Sequence, residues 1–330
     1  MKTTKNLLIY CSLIFMAAPA IAQVYKTTSP LAHTFSIVAR DPKTGEMAAA
    51  VQSHWFSVGS LVIWGKSGVG VVATQSFIKK SYGPLGLQLM EQGKKPQDAL
   101  DELLKQDAGR EVRQVAFLNT KGETAVYTGK SCIEFARDIH GVNFSVQSNM
   151  MLTDQVCIGM QKAWLKNVNM PLAERVLECL KAAQAAGGDI RGRQAAAIIE
   201  VSGKPVKDVG DDKLIDLRVE DSADPITELA RLLKLHRAYE HMNNGDLQVE
   251  KGNMQQAMLE YSTAEKMFPA NLEMKYWHAI TLANNKGVKE AAVMLKGIYA
   301  HDPNWRELTR RLPKAGQLTV SPADLKLLLQ

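Results

Sequence analysis

A chain of 330 residues exceeds the length that one hydrophobic core usually serves, so two folded units are expected. Hydrophobic residues make up 46% and charged residues 22%, which excludes fibrous and broadly disordered classes. The formal charge of +6 is spread evenly, and Lys and Arg do not cluster with aromatics, so no nucleic acid is expected as a partner.

Residues 1–22 stand apart. Lys2 and Lys5 precede an apolar run, Leu7 to Ala18, and Ala20-Ile21-Ala22 meets the small-x-small rule of signal peptidase. The run is too short for a bilayer core of ~30 Å, so it reads as a cleavable signal peptide, with an uncleaved membrane anchor as the alternative. The mature chain is then exported to the periplasm or the extracellular space, with no membrane attachment after cleavage. Losing two lysines and no acidic residue lowers the charge from +6 to +4. Cys132, Cys157 and Cys179 remain, an odd count that leaves at least one thiol unpaired, and buried inert thiols are expected.

Residues 23–33 are polar, contain Pro30 and read as a spacer. The segment 34–40 then alternates as a strand, Asp41-Pro42-Lys43-Thr44-Gly45 is a turn, and 46–53 is a second strand. Strands are expected at 61–64 and 69–76, and helices at 85–91 and 96–106, the second opened by Pro96. A hairpin follows at 113–128 about Lys121-Gly122, then a strand at 144–149 and a helix at 154–166. An amphipathic helix at 171–185 stops at Gly187-Gly188, and strands at 195–201 and 214–219 close the unit. This order predicts an α+β fold of antiparallel sheets with helices packed outside, spanning residues 34–225. Gly65-Lys66-Ser67-Gly68 lacks the upstream glycine of a phosphate-binding loop.

From residue 226 to 330 the strands vanish. Ala257, Tyr261, Ala264 and Pro269 are echoed 34 residues later by Ala291, Leu295, Ile298 and Pro303, and Gly245 by Ala279. That period with small and large landmarks and a closing Pro predicts an all-α, tetratricopeptide-like module, with a capping helix near Pro322. A plain helical hairpin with coincidental spacing is the alternative. The module is a candidate surface for a protein partner.

The chemistry is expected at the first strand. Thr34 opens it directly after the spacer, a start that resembles N-terminal-nucleophile hydrolases. A free α-amine has a pKa near 8 and can take the hydroxyl proton of its own residue. Several segments carry a closer resemblance: His33 to Pro42 (HTFSIVARDP), Gly68 to Gln75 (GVGVVATQ), Tyr82-Gly83-Pro84, Gln147-Ser148-Asn149-Met150, Gly187 to Gln194 (GGDIRGRQ) and Asp216-Leu217-Arg218-Val219. Together they resemble the domain-of-unknown-function 1028 family over residues 33–235. The resemblance implies a four-layer αββα sandwich and a hydrolase of amide (C–N) bonds, without naming a substrate beyond a small molecule or peptide.

On that reading Thr34 is the nucleophile, which requires a second cut between His33 and Thr34. Ser36 lies on the same side of the strand and assists. Asn149 donates to a developing oxyanion, Asp189 orients the amine, and Arg191, Gln194 and Gln75 contact substrate. At each position a structural role is the alternative: a strand threonine, a turn cap, an Asp–Arg pair. Ala195 stands where the family has a small hydroxyl after Gln, which weakens any role there. Asp216 and Arg218 are expected as a structural ion pair. The histidines are scattered and HExxH is absent, so no metal and no cofactor are expected. The competing class is an inactive αββα domain that serves as a scaffold, with the helical repeats recruiting a partner.

Overall fold

The computed structural model describes residues 31–330, so the signal-like segment and residues 23–30 of the expected spacer lie outside the described residues. The strands are β1 (Leu31–Ala32), β2 (Thr34–Arg40), β3 (Met47–Ser53), β4 (Ile63–Lys66), β5 (Gly70–Phe77), β6 (Arg113–Asn119), β7 (Thr124–Thr128), β8 (Arg137–Gly141), β9 (Phe144–Ser148), β10 (Ala195–Val201) and β11 (Ile215–Val219). The helices are α1 (Gly59–Val62), α2 (Tyr82–Glu91), α3 (Pro96–Lys105), α4 (Val156–Lys166), α5 (Leu172–Ala185), α6 (Pro225–Glu250), α7 (Met254–Met267), α8 (Leu272–Asn284), α9 (Val288–His301), α10 (Asn304–Arg311) and α11 (Pro322–Leu328). The protein is α+β, with antiparallel sheets followed by a helical region.

One sheet runs β1-β5-β6-β7, with β4 also on β5; the other runs β11-β10-β3-β2-β9-β8. Period-2 alternation sorts their side chains. Val38 of β2, Val51 of β3 and Ile199 of β10 share one apolar cluster with Val71 and Ala73 of β5 and with Leu118 of β6, so the sheets pack against each other there. Phe35, Ile37 and Ala39 turn the other way, into a cluster with Trp164 of α4 and Leu177 and Leu180 of α5. On the opposite side, Val72, Val115 and Phe117 pack against Leu87, Leu100 and Leu103 of α2 and α3. Burying each such side chain contributes about 1.5–3 kcal/mol. In α2 the two glycines are contact points: a Cβ on Gly83 would sit 2.3 Å from the Trp64 ring, and one on Gly86 2.4 Å from Phe117.

Three local expectations differ from the structure. The strand expected at 61–64 is the last turn of α1 followed by β4, displaced by two residues. Gly59 lets α1 approach β10, since a Cβ there would meet the Ala197 side chain at 2.5 Å. The edge strand β8 has no apolar alternation in Arg137-Asp138-Ile139-His140-Gly141, and pairing with β9 creates it. The end of the spacer is not a spacer: β1 pairs with Phe77 and Ser76 of β5, and His33 is buried.

Helix α6 is shared. Ile226, Leu229 and Leu233 belong to the core under β10 and α5, whereas Ala238 and Met242 pack with Ala257 and Tyr261 of α7. Arg237 clamps it to α5 through Glu174 at 2.8 Å, and reaches Glu240 at 2.9 Å. Ala257, Tyr261 and Ala264 are buried in this cluster, and their echoes Ala291, Leu295 and Ile298 in the next, with Tyr276, Ala279 and Leu312. No helix among the described residues is long and apolar enough to cross a membrane. Cys132, Cys157 and Cys179 are free, and burial pushes the Cys157 and Cys179 thiols up to about 12, which keeps them protonated.

Candidate functional site

Along β2 the inter-sheet layer changes character. Val38 ends the apolar part, and beyond it Ser36 and Thr34 meet Ser53 of β3, Gln75 of β5, Gln114 of β6 and Gln147 of β9, all fully buried. Unpaired, such groups would each cost about 1–3 kcal/mol. Here they form one network. Ser36 donates to Gln75 Oε1 at 2.6 Å and accepts from Gln147 Nε2 at 2.6 Å. Gln75 Nε2 donates to Gln114 Oε1 at 2.7 Å, which also accepts from Asn149 Nδ2 at 2.8 Å. Amides linked this way hold one another in a single orientation.

Thr34 sits at the end of this network, fully buried, with its Oγ1 donating to the Ala32 carbonyl at 2.5 Å. Its own carbonyl accepts from the Asn149 N–H at 3.1 Å and from Gln75 Nε2 at 3.2 Å. The peptide bond ahead of it is gripped more firmly. The His33 carbonyl accepts from Ser53 Oγ at 2.6 Å and from Arg191 Nη2 at 2.9 Å, a hydroxyl and a guanidinium on one oxygen. That is the donor set of an oxyanion site.

Arg191 is held in place by Asp189, whose side chain is fully buried: Nε reaches Oδ1 at 3.0 Å and Nη2 reaches Oδ2 at 2.7 Å. The Asp189 carboxylate also accepts the backbone N–H groups of Arg191 and His54. Gly187, Gly188 and Gly192 take φ of +122°, +64° and +112°, so this loop needs backbone that other residues rarely adopt. Ser76 and Met150 flank the site with φ of +71° and +59°, strain of the kind that collects where geometry is over-determined.

The His33 ring is enclosed with it. Its Nδ1 lies 2.7 Å from Asn149 Oδ1, and it makes a T-shaped contact with Phe77, ring centroids 5.5 Å apart. Because Asn149 Nδ2 is spent on Gln114, its oxygen faces the imidazole, which puts the proton on Nδ1 and leaves Nε2 basic. Burial foremost lowers the His33 pKa, opposed by the Asn149 bond, so the ring is neutral at pH 7.

Thr34, Ser36, Gln75, Asn149, Asp189 and Arg191 are therefore brought together. Two expected roles change. The Asn149 amide group is on Gln114 and its oxygen on His33, and the donors on the His33 carbonyl are Ser53 and Arg191. Gln194 turns outward to Asp221 at 3.1 Å and contributes only its backbone N–H, to Ser53. The residues not anticipated are His33, Ser53, Gln114 and Gln147. Ser53 stands opposite Thr34 in the β2–β3 ladder and Gln147 opposite Ser36 in the β2–β9 ladder, a register that only the pairing of strands within this sheet decides. Asp216 and Arg218 form an exposed ion pair at 2.7 Å. Among the described residues no group of three or more His, Cys, Asp or Glu is arranged to hold a metal ion.

A crystal structure of a Silicibacter pomeroyi protein assigned to family DUF1028 superposes with a TM-score of 0.55 at 27% sequence identity, covering 61% of this chain and 88% of that one. No curated protein matches the chain. The family of unknown function DUF1028 matches residues 34–229, more than half of the sequence and every residue of the site except His33, and the chain belongs to that family.

Proposed function

We propose that the protein is an exported hydrolase of amide bonds, synthesised as a precursor whose His33–Thr34 bond is cut to release Thr34 as an N-terminal nucleophile. Residues 1–22 serve as the signal peptide, and the packed sheets with their outer helices are read as the αββα sandwich of such hydrolases. One observation carries this reading: the carbonyl directly ahead of Thr34 is held by Ser53 Oγ and Arg191 Nη2 at 2.6 and 2.9 Å.

In the maturation step Thr34 Oγ1 attacks the His33 carbonyl carbon. A C–O bond forms, the C–N bond breaks, and the hydroxyl proton ends on the departing nitrogen, which becomes the α-amine. Water then hydrolyses the ester, leaving a carboxylate on His33 and restoring the Thr34 hydroxyl. In catalysis the same hydroxyl attacks a substrate amide, with the new amine carrying its proton to the leaving nitrogen, and water then hydrolyses the ester to release the acid and restore the hydroxyl. Ser53 and Arg191 stabilise the oxyanion in both steps, and Asp189 keeps Arg191 aimed.

The test is the intact mass of protein recovered from the exported fraction. A chain beginning at Thr34 is expected, with Thr34→Ala left beginning at Gln23 and no longer labelled by an electrophilic amide analogue. Wild-type protein that begins at Gln23 throughout would refute the hydrolase. It would instead support the second reading, a scaffold whose tetratricopeptide-like helices bind a partner protein, which the complete burial of Thr34 beneath residues 31–33 favours.

A further inference from the structure

Residues 31–33 occupy the site as an extended peptide would. Leu31 and Ala32 pair antiparallel with Phe77 and Ser76 at the end of β5, alongside the stretch that β4 covers. Ala32 is fully enclosed, in the apolar cluster with Val38, Val58 and Ile78. The His33 ring fills a pocket between Phe77 and Asn149, donating to Asn149 Oδ1, while its carbonyl lies under Ser53 and Arg191. Leu31 is 40% exposed, so selectivity fades three residues before the bond.

We propose that this segment is the template of the substrate: an extended peptide cleaved after a planar hydrogen-bond-donating residue that follows a small one. The inference rests on the hydrolase reading above. Once Gln23–His33 has left, the Ser76–Phe77 stretch of β5 has lost its β1 neighbour and takes the incoming strand in the same register. The enclosure around Ala32 admits a methyl group and rejects a large side chain. Asn149 Oδ1 accepts from the side chain next to the scissile carbonyl, and a side chain without a donor leaves that buried oxygen without its partner. Asn149 and Phe77 are thus positioning and specificity residues.

The experiment uses the exported protein, its N-terminus determined first and its Thr34 assayed with an electrophilic label. Three fluorogenic anilides are compared: acetyl-Ser-Pro-Leu-Ala-His, which copies residues 29–33, the same peptide with Trp in place of Ala, and the same peptide with Leu in place of His. The expected result is cleavage of the first, with kcat/KM lower by at least about tenfold for each of the others, the scale on which shaped and hydrogen-bonding pockets discriminate. The free peptide Gln23–His33 is expected to inhibit competitively. A chain that starts at Thr34 and is labelled there, yet cleaves the three peptides equally or cleaves only non-peptide amides, overturns this inference and leaves the hydrolase standing. A chain that never loses residue 33 overturns both.

Discussion

On the proposed hydrolase reading, Ser53 is the residue that separates a catalytic donor from a structural one. Its hydroxyl has one partner, the His33 carbonyl, so Ser53→Ala removes one of the two donors of the proposed oxyanion site without stranding a charge. Deleting such a donor costs about a hundredfold in rate or more, against about 1 kcal/mol of stability for a neutral hydrogen bond. Time-resolved intact mass should therefore show the Thr34-starting species forming roughly a hundredfold more slowly in Ser53→Ala, with the melting temperature lowered by only a few degrees. A processing rate equal to wild type would mean that Ser53 only holds β3 to the segment ahead of β2. Arg191 is a poorer probe, because removing it leaves the buried Asp189 carboxylate without its partner and confuses rate with stability.

At the scale of elements, the helices reach the sheets through missing side chains. Adding a methyl group at Gly83 drives it to 2.3 Å from the Trp64 ring, so α2 has to lift from β4. Gly83→Ala is expected to destabilise by about 1–3 kcal/mol by overpacking, despite alanine's better helix propensity. Gly297 in α9 is the control: nothing lies within 4 Å of its would-be Cβ, and Gly297→Ala should stabilise by about 0.5–1 kcal/mol. Urea denaturation of the two variants checks the sign of each. If Gly83→Ala stabilised the protein as Gly297→Ala does, the packing of α2 on β4 would be wrong.

At the scale of the whole molecule, the junction between the sheets and the helical region carries a buried carboxyl. Glu200 of β10 is 4% exposed and its Oε2 has no hydrogen-bond partner, while Glu46, Glu174, Glu240 and Arg237 surround it. Burial first, then the charge of Glu46, pushes its pKa up to about 8 from an ordinary 4.5. The folded chain then keeps a proton that the unfolded chain releases, so stability is highest below about pH 4.5 for this group and falls as pH rises toward 8. Glu200→Gln removes the titration. Its advantage over wild type should grow from pH 5 to pH 8, by about 3–4 kcal/mol at most, and thermal melts across that range measure it. Parallel pH profiles would show that Glu200 ionises without cost.

Much of this protein was legible in one dimension. The alternation in Thr34–Arg40, the turn at Asp41–Gly45 and the helix stop at Gly187-Gly188 are local signals, governed by side-chain period and backbone sterics. They place antiparallel strands, outer helices and a helical C-terminal region without reference to distant residues. The 34-residue echo is local in the same sense, because Ala257, Tyr261 and Ala264, and their echoes Ala291, Leu295 and Ile298, are buried among helices close in the chain. Thr34, Asn149, Asp189 and Arg191 were legible as candidates, but not as a geometry. Strand β8 has no pattern until β9 pairs with it, and His33 looks like the end of a linker until β5 takes Leu31 and Ala32. The donors on the His33 carbonyl come from residues 20 and 158 positions away, joined only when β3 and the Gly-rich loop close around β2. Period and propensity act over a few residues, whereas the two donors on the His33 carbonyl meet only when a paired strand and a distant loop are brought together by the tertiary fold.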